Sequence, residues 1–263
     1  MHTRTSPWPT GVPCWADITV PDLDIAFSFY GAVLGWTFVS QVDPWPHYYV
    51  AQIEGHAIAG MALQDYGATS VWTLYFASDD ADKAARQITA AGGTVLIGPH
   101  EVGALGRFAI AHDPTGATFA IWQARDHIGA ALVNQPGGMV WGDLHSPDPD
   151  RARQFYTSVF DFTHTSVNGA PPEYQAFELP ADGVALGGIG DMFGNEALPA
   201  HWLVYFGVSD AQAAASAALA SGGQVAMPLF DTPFGRMAGL IDPAGAVFMV
   251  VETHDTDTPN RAI

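Results

Sequence analysis

Two short stretches place chemically versatile side chains in the same relation: Cys14-Trp15-Ala16-Asp17-Ile18-Thr19 and Val140-Trp141-Gly142-Asp143-Leu144-His145. In each, a tryptophan stands two residues before an aspartate, and residues two apart on a strand share one face. An indole beside a carboxylate makes a flat apolar wall with a proton acceptor set into it. Left unpaired there, a carboxylate costs several kcal/mol or takes a raised pKa. Arg107 and Arg236 are the cations that would tie it down in a purely structural role. In the second copy His145 extends the row, so Asp143 and His145 together could exchange a proton with a bound molecule. Thr19 stands at the matching place in the first copy, leaving Asp17 as its candidate.

The elements that must position these residues also occur twice. Phe29-Tyr30 returns as Phe155-Tyr156 at an offset of 126, Gly92-Gly93 as Gly222-Gly223 at 130, and Asp113-Pro114 as Asp242-Pro243 at 129. Two modules follow, 12–124 and 139–253, joined by a Gly-, Pro- and Asn-bearing linker over 125–138. Within a module, apolar alternation gives a strand, an Asp-initiated helical period ends at a glycine, and three strands follow. The same order repeats in the module's second half, where an alanine-rich segment behind Asp80 or Asp210 supplies the helix. The fold class predicted is therefore α+β: four βαβββ units forming two curved mixed sheets with helices outside.

Composition narrows the partners. Nine basic against 27 acidic residues give a formal charge of −18, which repels phosphate backbones and excludes nucleic acid as a natural partner. Cys14 is the only cysteine, so neither an intrachain disulfide nor a cysteine-rich metal site can form, and a reducing cytoplasm fits. Nothing reads as a membrane span or an export signal. Walker-type, dinucleotide and nucleophile-elbow motifs are missing, and no cofactor is expected. The chain is expected as a monomer with pseudo-twofold pairing of its modules, or as a homodimer.

The Phe-Tyr helix with its glycine or aspartate stop, and the Asp-Pro-x-Gly-Ala turn before each last strand, resemble the vicinal oxygen chelate superfamily. This group includes glyoxalase I, extradiol dioxygenases, and fosfomycin- and bleomycin-resistance proteins. The paired Trp-x-x-Tyr-Phe strands are most similar to its two-module, actinobacterial, glyoxalase-like branch. The resemblance implies metal ligands at three places in a module, and these fall on Trp15, Thr73 and Ala120, and on Trp141, Leu203 and Met249. A divalent ion needs about three or four N, O or S donors. No metal is expected at these places, and His201 and Glu252 read as out of phase with them.

Strand alternation from those positions sends Trp15, Asp17, Tyr75 and Trp122 of the first module, and Trp141, Asp143, His145, Tyr205 and Met249 of the second, into a concave cup. His47 and Tyr49, together with Tyr48, are expected at the rim of the first cup. Aromatic walls with few polar groups suit a hydrophobic, planar or polycyclic natural-product-like ligand. Two readings stay open. One is a metal-independent enzyme in which Asp143, His145 or Asp17 moves protons in an isomerisation, cyclisation, elimination or hydration. The other is a binding or drug-sequestering protein of the bleomycin-resistance type.

Overall fold

A computed structural model describes residues 3–41, 47–64, 70–180, 183–194 and 197–253. In the first module β1 (Pro13–Val20), α1 (Leu23–Leu34), β2 (Thr37–Gln41), β3 (Tyr48–Ile53) and β4 (His56–Leu63) make one unit. The next is β5 (Trp72–Ala77), α2 (Ala81–Ala90), β6 (Thr94–Val102), β7 (Gly106–His112) and β8 (Thr118–Ala124). The second module repeats them as β9 (Met139–His145), α3 (Pro149–Phe160), β10 (Thr163–Ser166), β11 (Gln175–Glu178) and β12 (Ala185–Gly190), then β13 (His201–Val208), α4 (Ala211–Ala220), β14 (Gln224–Thr232), β15 (Gly235–Ile241) and β16 (Val247–Glu252). Among the described residues no helix is long and apolar enough to cross a membrane.

Each helix begins where the sequence says it should. Asp22, Asp80, Asp148 and Asp210 sit at the N-caps, and each accepts a hydrogen bond from the backbone N–H three residues on, at 2.9–3.0 Å. The first helix ends at Gly35 with φ 73°, and its counterpart ends at Asp161 with φ 63°. Aspartate is among the few side chains that tolerate this left-handed turn.

Each module forms one eight-stranded mixed sheet, in the orders β2-β3-β4-β1-β5-β8-β7-β6 and β10-β11-β12-β9-β13-β16-β15-β14. The two units of a module meet where β1 pairs antiparallel with β5, and β9 with β13. The Trp-x-Asp strands therefore lie at the centre of their sheets.

The modules pack back to back on the faces opposite these residues. Phe76 of β5 meets Tyr156, Phe160 and Trp202 of the second module, and Trp36 and Trp72 meet Phe206, with ring centroids 5.0–6.0 Å apart. Two reciprocal bonds cross this core: Tyr30 donates to Asp242 Oδ2 at 3.0 Å, and Tyr156 to Asp113 Oδ2 at 3.2 Å. The same aspartates hold their own turns, since Oδ1 of Asp113 accepts from Thr115 and Ala117, and Oδ1 of Asp242 from Ala244 and Ala246. Thus the Phe-Tyr landmark of each module is built to meet the Asp-Pro landmark of the other. One continuous apolar core runs through both modules.

Candidate functional site

In the first module two strands bring their side chains to Asp17 of β1. Tyr75 of β5 donates to Asp17 Oδ2 at 2.7 Å and Tyr48 of β3 donates to the same oxygen at 3.2 Å. Trp15 in turn donates through Nε1 to the Tyr48 hydroxyl at 3.0 Å. β4 contributes by lacking a side chain: Gly60 lies opposite Asp17, and a Cβ there would collide with the Tyr48 phenol. Burial pushes the Asp17 carboxyl up to about 6, partly offset by the two phenol hydrogen bonds. Burial and the nearby carboxylate raise both tyrosines as well, so they remain donors.

The second module builds the same group. Asp143 Oδ1 accepts from Trp141 Nε1 and from the Tyr174 hydroxyl, both at 2.7 Å, and Oδ2 accepts from Tyr205 at 2.7 Å. Gly188 of β12 again makes room for the phenol. Arg153 of α3 braces this arrangement by donating through Nη1 to the carbonyl of Glu173, the residue before Tyr174, at 2.9 Å. A separate apolar cluster of Val140, Leu203, Tyr205, Met249 and Val251, with Trp141 packed against it, adjoins this group.

The two sites diverge around this shared frame. In the first, His127 of the linker lies against the indoles of Trp15 and Trp122, with ring centroids 4.6 and 5.5 Å away. Its carbonyl accepts from Trp122 Nε1 at 2.8 Å. Burial lowers the imidazole to about 4, so it sits there uncharged near neutral pH. In the second, His145 is half-buried at the end of β9, and its Nδ1 is buried without a hydrogen-bond partner among the described residues. Burial lowers its pKa, Asp143 and Asp191 oppose that, and His201 adds to it.

The sequence-derived residues divide accordingly. Trp15, Asp17 and Tyr75 meet in one group, and Trp141, Asp143 and Tyr205 in the other. Trp122 packs against His127 beside the first group, and Met249 belongs to the apolar cluster around Tyr205 in the second. Tyr49 does not join them. It points to the opposite face of β3 and packs on Phe27 of α1 at 4.9 Å, because adjacent strand residues face opposite ways. His47 also stays apart, exposed at the strand's entry with φ 69°. The arginines are not partners of the acids: Arg107 pairs with Asp82 and Glu101, and Arg236 approaches Asp231. His201 is in phase after all, directly opposite His145, whereas Glu252 points away to cap α4 through Ala211 N–H. Tyr174 and His127 were not anticipated as site residues. The offset of 126 that relates the Phe-Tyr pairs also relates Tyr48 to Tyr174, which is the signal that would have found the former.

The donors present do not fit a metal at the family's usual place. The six positions carry two indoles, a threonine, an alanine, a leucine and a methionine, and the nearest carboxylates are engaged by phenols. Among the described residues no three His, Cys, Asp or Glu side chains converge as an ion would require.

The Glyoxalase/Bleomycin resistance protein/Dioxygenase superfamily matches the sequence twice, over residues 14–121 and 135–250. The Mycobacterium tuberculosis protein named "Putative glyoxylase CFP32" is 37% identical over 257 residues, covering 95% of this chain and 97% of that one. The Anthracycline biosynthesis protein DnrV of Streptomyces peucetius is 34% identical over 272 residues, covering 96% of each. Among solved structures, the Mn(II)-bound glyoxalase of Novosphingobium aromaticivorans superposes with a TM-score of 0.66 at 17% identity, over 93% of this chain and 82% of that one. The 2,3-dioxygenase LapB of Pseudomonas sp. KL28 gives 0.65 at 16%, over 97% of both chains. At such identities these two structures speak for the fold alone.

Proposed function

Since this chain belongs to the Glyoxalase/Bleomycin resistance protein/Dioxygenase superfamily, we propose that it handles a hydrophobic aromatic or polycyclic small molecule of the natural-product type, in its second module and without the family's metal. His145 is the proton-transfer group of this reading, and the chemistry is an isomerisation, cyclisation, elimination or hydration. The observation that carries it is the His145 imidazole: half-buried, lowered toward the neutral form, two residues from a carboxylate, and with no hydrogen bond on its buried Nδ1 among the described residues to fix its ring. Asp143 keeps Tyr174 and Tyr205 in place and supplies the negative charge that favours a transient imidazolium. Asp17 has equivalent phenols but Thr19 beside it, and holds Tyr48 and Tyr75. The relative DnrV, named for anthracycline biosynthesis, makes a fused-ring polyketide aglycone the first ligand to try.

A second reading, sequestration without chemistry, draws on the saturation of Asp143. Three donors already occupy its oxygens, which suits a rigid buttress better than a base.

One experiment separates the two. Titration with an anthracycline aglycone, followed by tryptophan fluorescence and chromatography of the products, is expected to give saturable quenching and a converted compound. His145→Ala should keep the quenching and lose turnover by about 10²–10⁴-fold. Binding with no product from the native chain would establish sequestration. Absence of any saturable quenching would overturn both readings for this ligand class.

A further inference from the structure

His201 stands directly across the antiparallel β9/β13 pair from His145. Their rings are 19° from parallel with centroids 5.1 Å apart, and Phe193 makes a second ring contact with His145 at 5.3 Å and 79°. His201 is itself anchored, its Nδ1 lying 2.9 Å from the Pro199 carbonyl oxygen. A carbonyl only accepts, so Nδ1 carries the proton and Nε2 is the basic nitrogen of the neutral ring. The imidazole pair is confined to one module. Asp17 faces Thr73 as Asp143 faces Leu203, so the register places Thr19 and Val71 where His145 and His201 stand. Both members of the pair are therefore replaced together in the module whose cup holds His127.

We propose that His201 is a positioning residue for His145, its stacked ring fixing the plane in which the His145 imidazole meets a ligand and exchanges its proton. This rests on the reading of His145 as the proton-transfer group. The ionisable groups facing His145 are Asp143 on its own strand, His201 on β13 and Asp191 after β12. The carboxylates favour its charged form and a second imidazolium opposes it, so His201 acts on both the orientation and the charge of its neighbour.

The test is a pH series of imidazole ¹H–¹⁵N spectra of the full chain, native and with His201→Ala or His201→Phe, beside turnover of the aglycone. His201→Ala should broaden or shift the His145 signals and lower kcat roughly tenfold with KM nearly unchanged. His201→Phe retains a flat ring, so it should restore most of kcat while moving the His145 titration to higher pH. Identical His145 spectra and titration in the native chain and His201→Ala would overturn the proposal. Should those spectra respond while His145→Ala turns over normally, the proton-transfer reading fails and the ring geometry stands.

Discussion

Gly188 faces Asp143 across the parallel β9/β12 pair, and the Tyr174 phenol occupies the space its missing Cβ leaves. Gly60, Asp17 and Tyr48 repeat the relationship in the first module. Gly188→Ala must push Tyr174 off the carboxylate, and such overpacking costs about 1–3 kcal/mol. In a Tyr174→Ala background the same change should cost distinctly less, the remaining conflict being with Oδ1 of Asp143 alone. A double-mutant cycle in urea checks this, and additive effects would mean that the two positions do not compete for space.

Asp17 should give the protein a distinctive acid-side stability. Its folded pKa of about 6 lies above the ordinary 3.8, so the folded form binds the extra proton between these values. The stabilisation is complete below about pH 3.8 and is lost as pH rises through 6. Asp17→Asn should remove that slope and leave the protein more stable at pH 7, by on the order of 1–3 kcal/mol. Urea midpoints at pH 4, 5 and 7 measure the effect.

His127 works in the opposite sense. Its folded pKa of about 4 lies below the ordinary 6.5, so its contribution is present above pH 6.5 and is lost as pH falls through 4. Acidification should therefore drive the imidazole from between Trp15 and Trp122. The expected sign is a rise in solvent quenching of tryptophan emission over that window in the native chain, missing in His127→Gln. The two single variants, Asp17→Asn and His127→Gln, separate slopes that partly cancel in the native protein.

The reciprocal phenols couple the modules. Tyr30→Phe and Tyr156→Phe each strand a buried carboxylate oxygen, on Asp242 and Asp113 respectively, and each should cost about 1–3 kcal/mol. Because both bonds cross a single core, unfolding should remain one cooperative transition in either variant. Two resolved calorimetric transitions would show that the modules fold separately.

Chelation supplies a direct check on the donor argument. Turnover or binding of the aglycone should be unchanged after dialysis against EDTA, and restoration by an added divalent ion after such treatment would contradict the proposed metal-free chemistry.

The repeat, the four helix starts and the strand order were legible in the sequence because they depend on local chemistry. An aspartate caps the N–H groups that follow it, alternation sets which face a residue takes, and a glycine permits a turn. The same parity puts Trp15, Asp17 and Tyr75 on one face of their sheet, and Trp141, Asp143 and Tyr205 on one face of theirs, where hydrogen bonds join them. What no local rule supplies is which distant group arrives. Tyr174 precedes its strand, His127 comes from the linker, and Phe-Tyr and Asp-Pro landmarks visible in each module turn out to pair across the core with those of the other. Tertiary packing decided that the acids are satisfied by phenols and indoles rather than by arginine. It also made the two similar strands unequal, leaving a stacked pair of imidazoles in the second module and a linker imidazole against the indoles in the first. A buried carboxylate must find donors, and only the folded chain determines which donors are within about 3 Å.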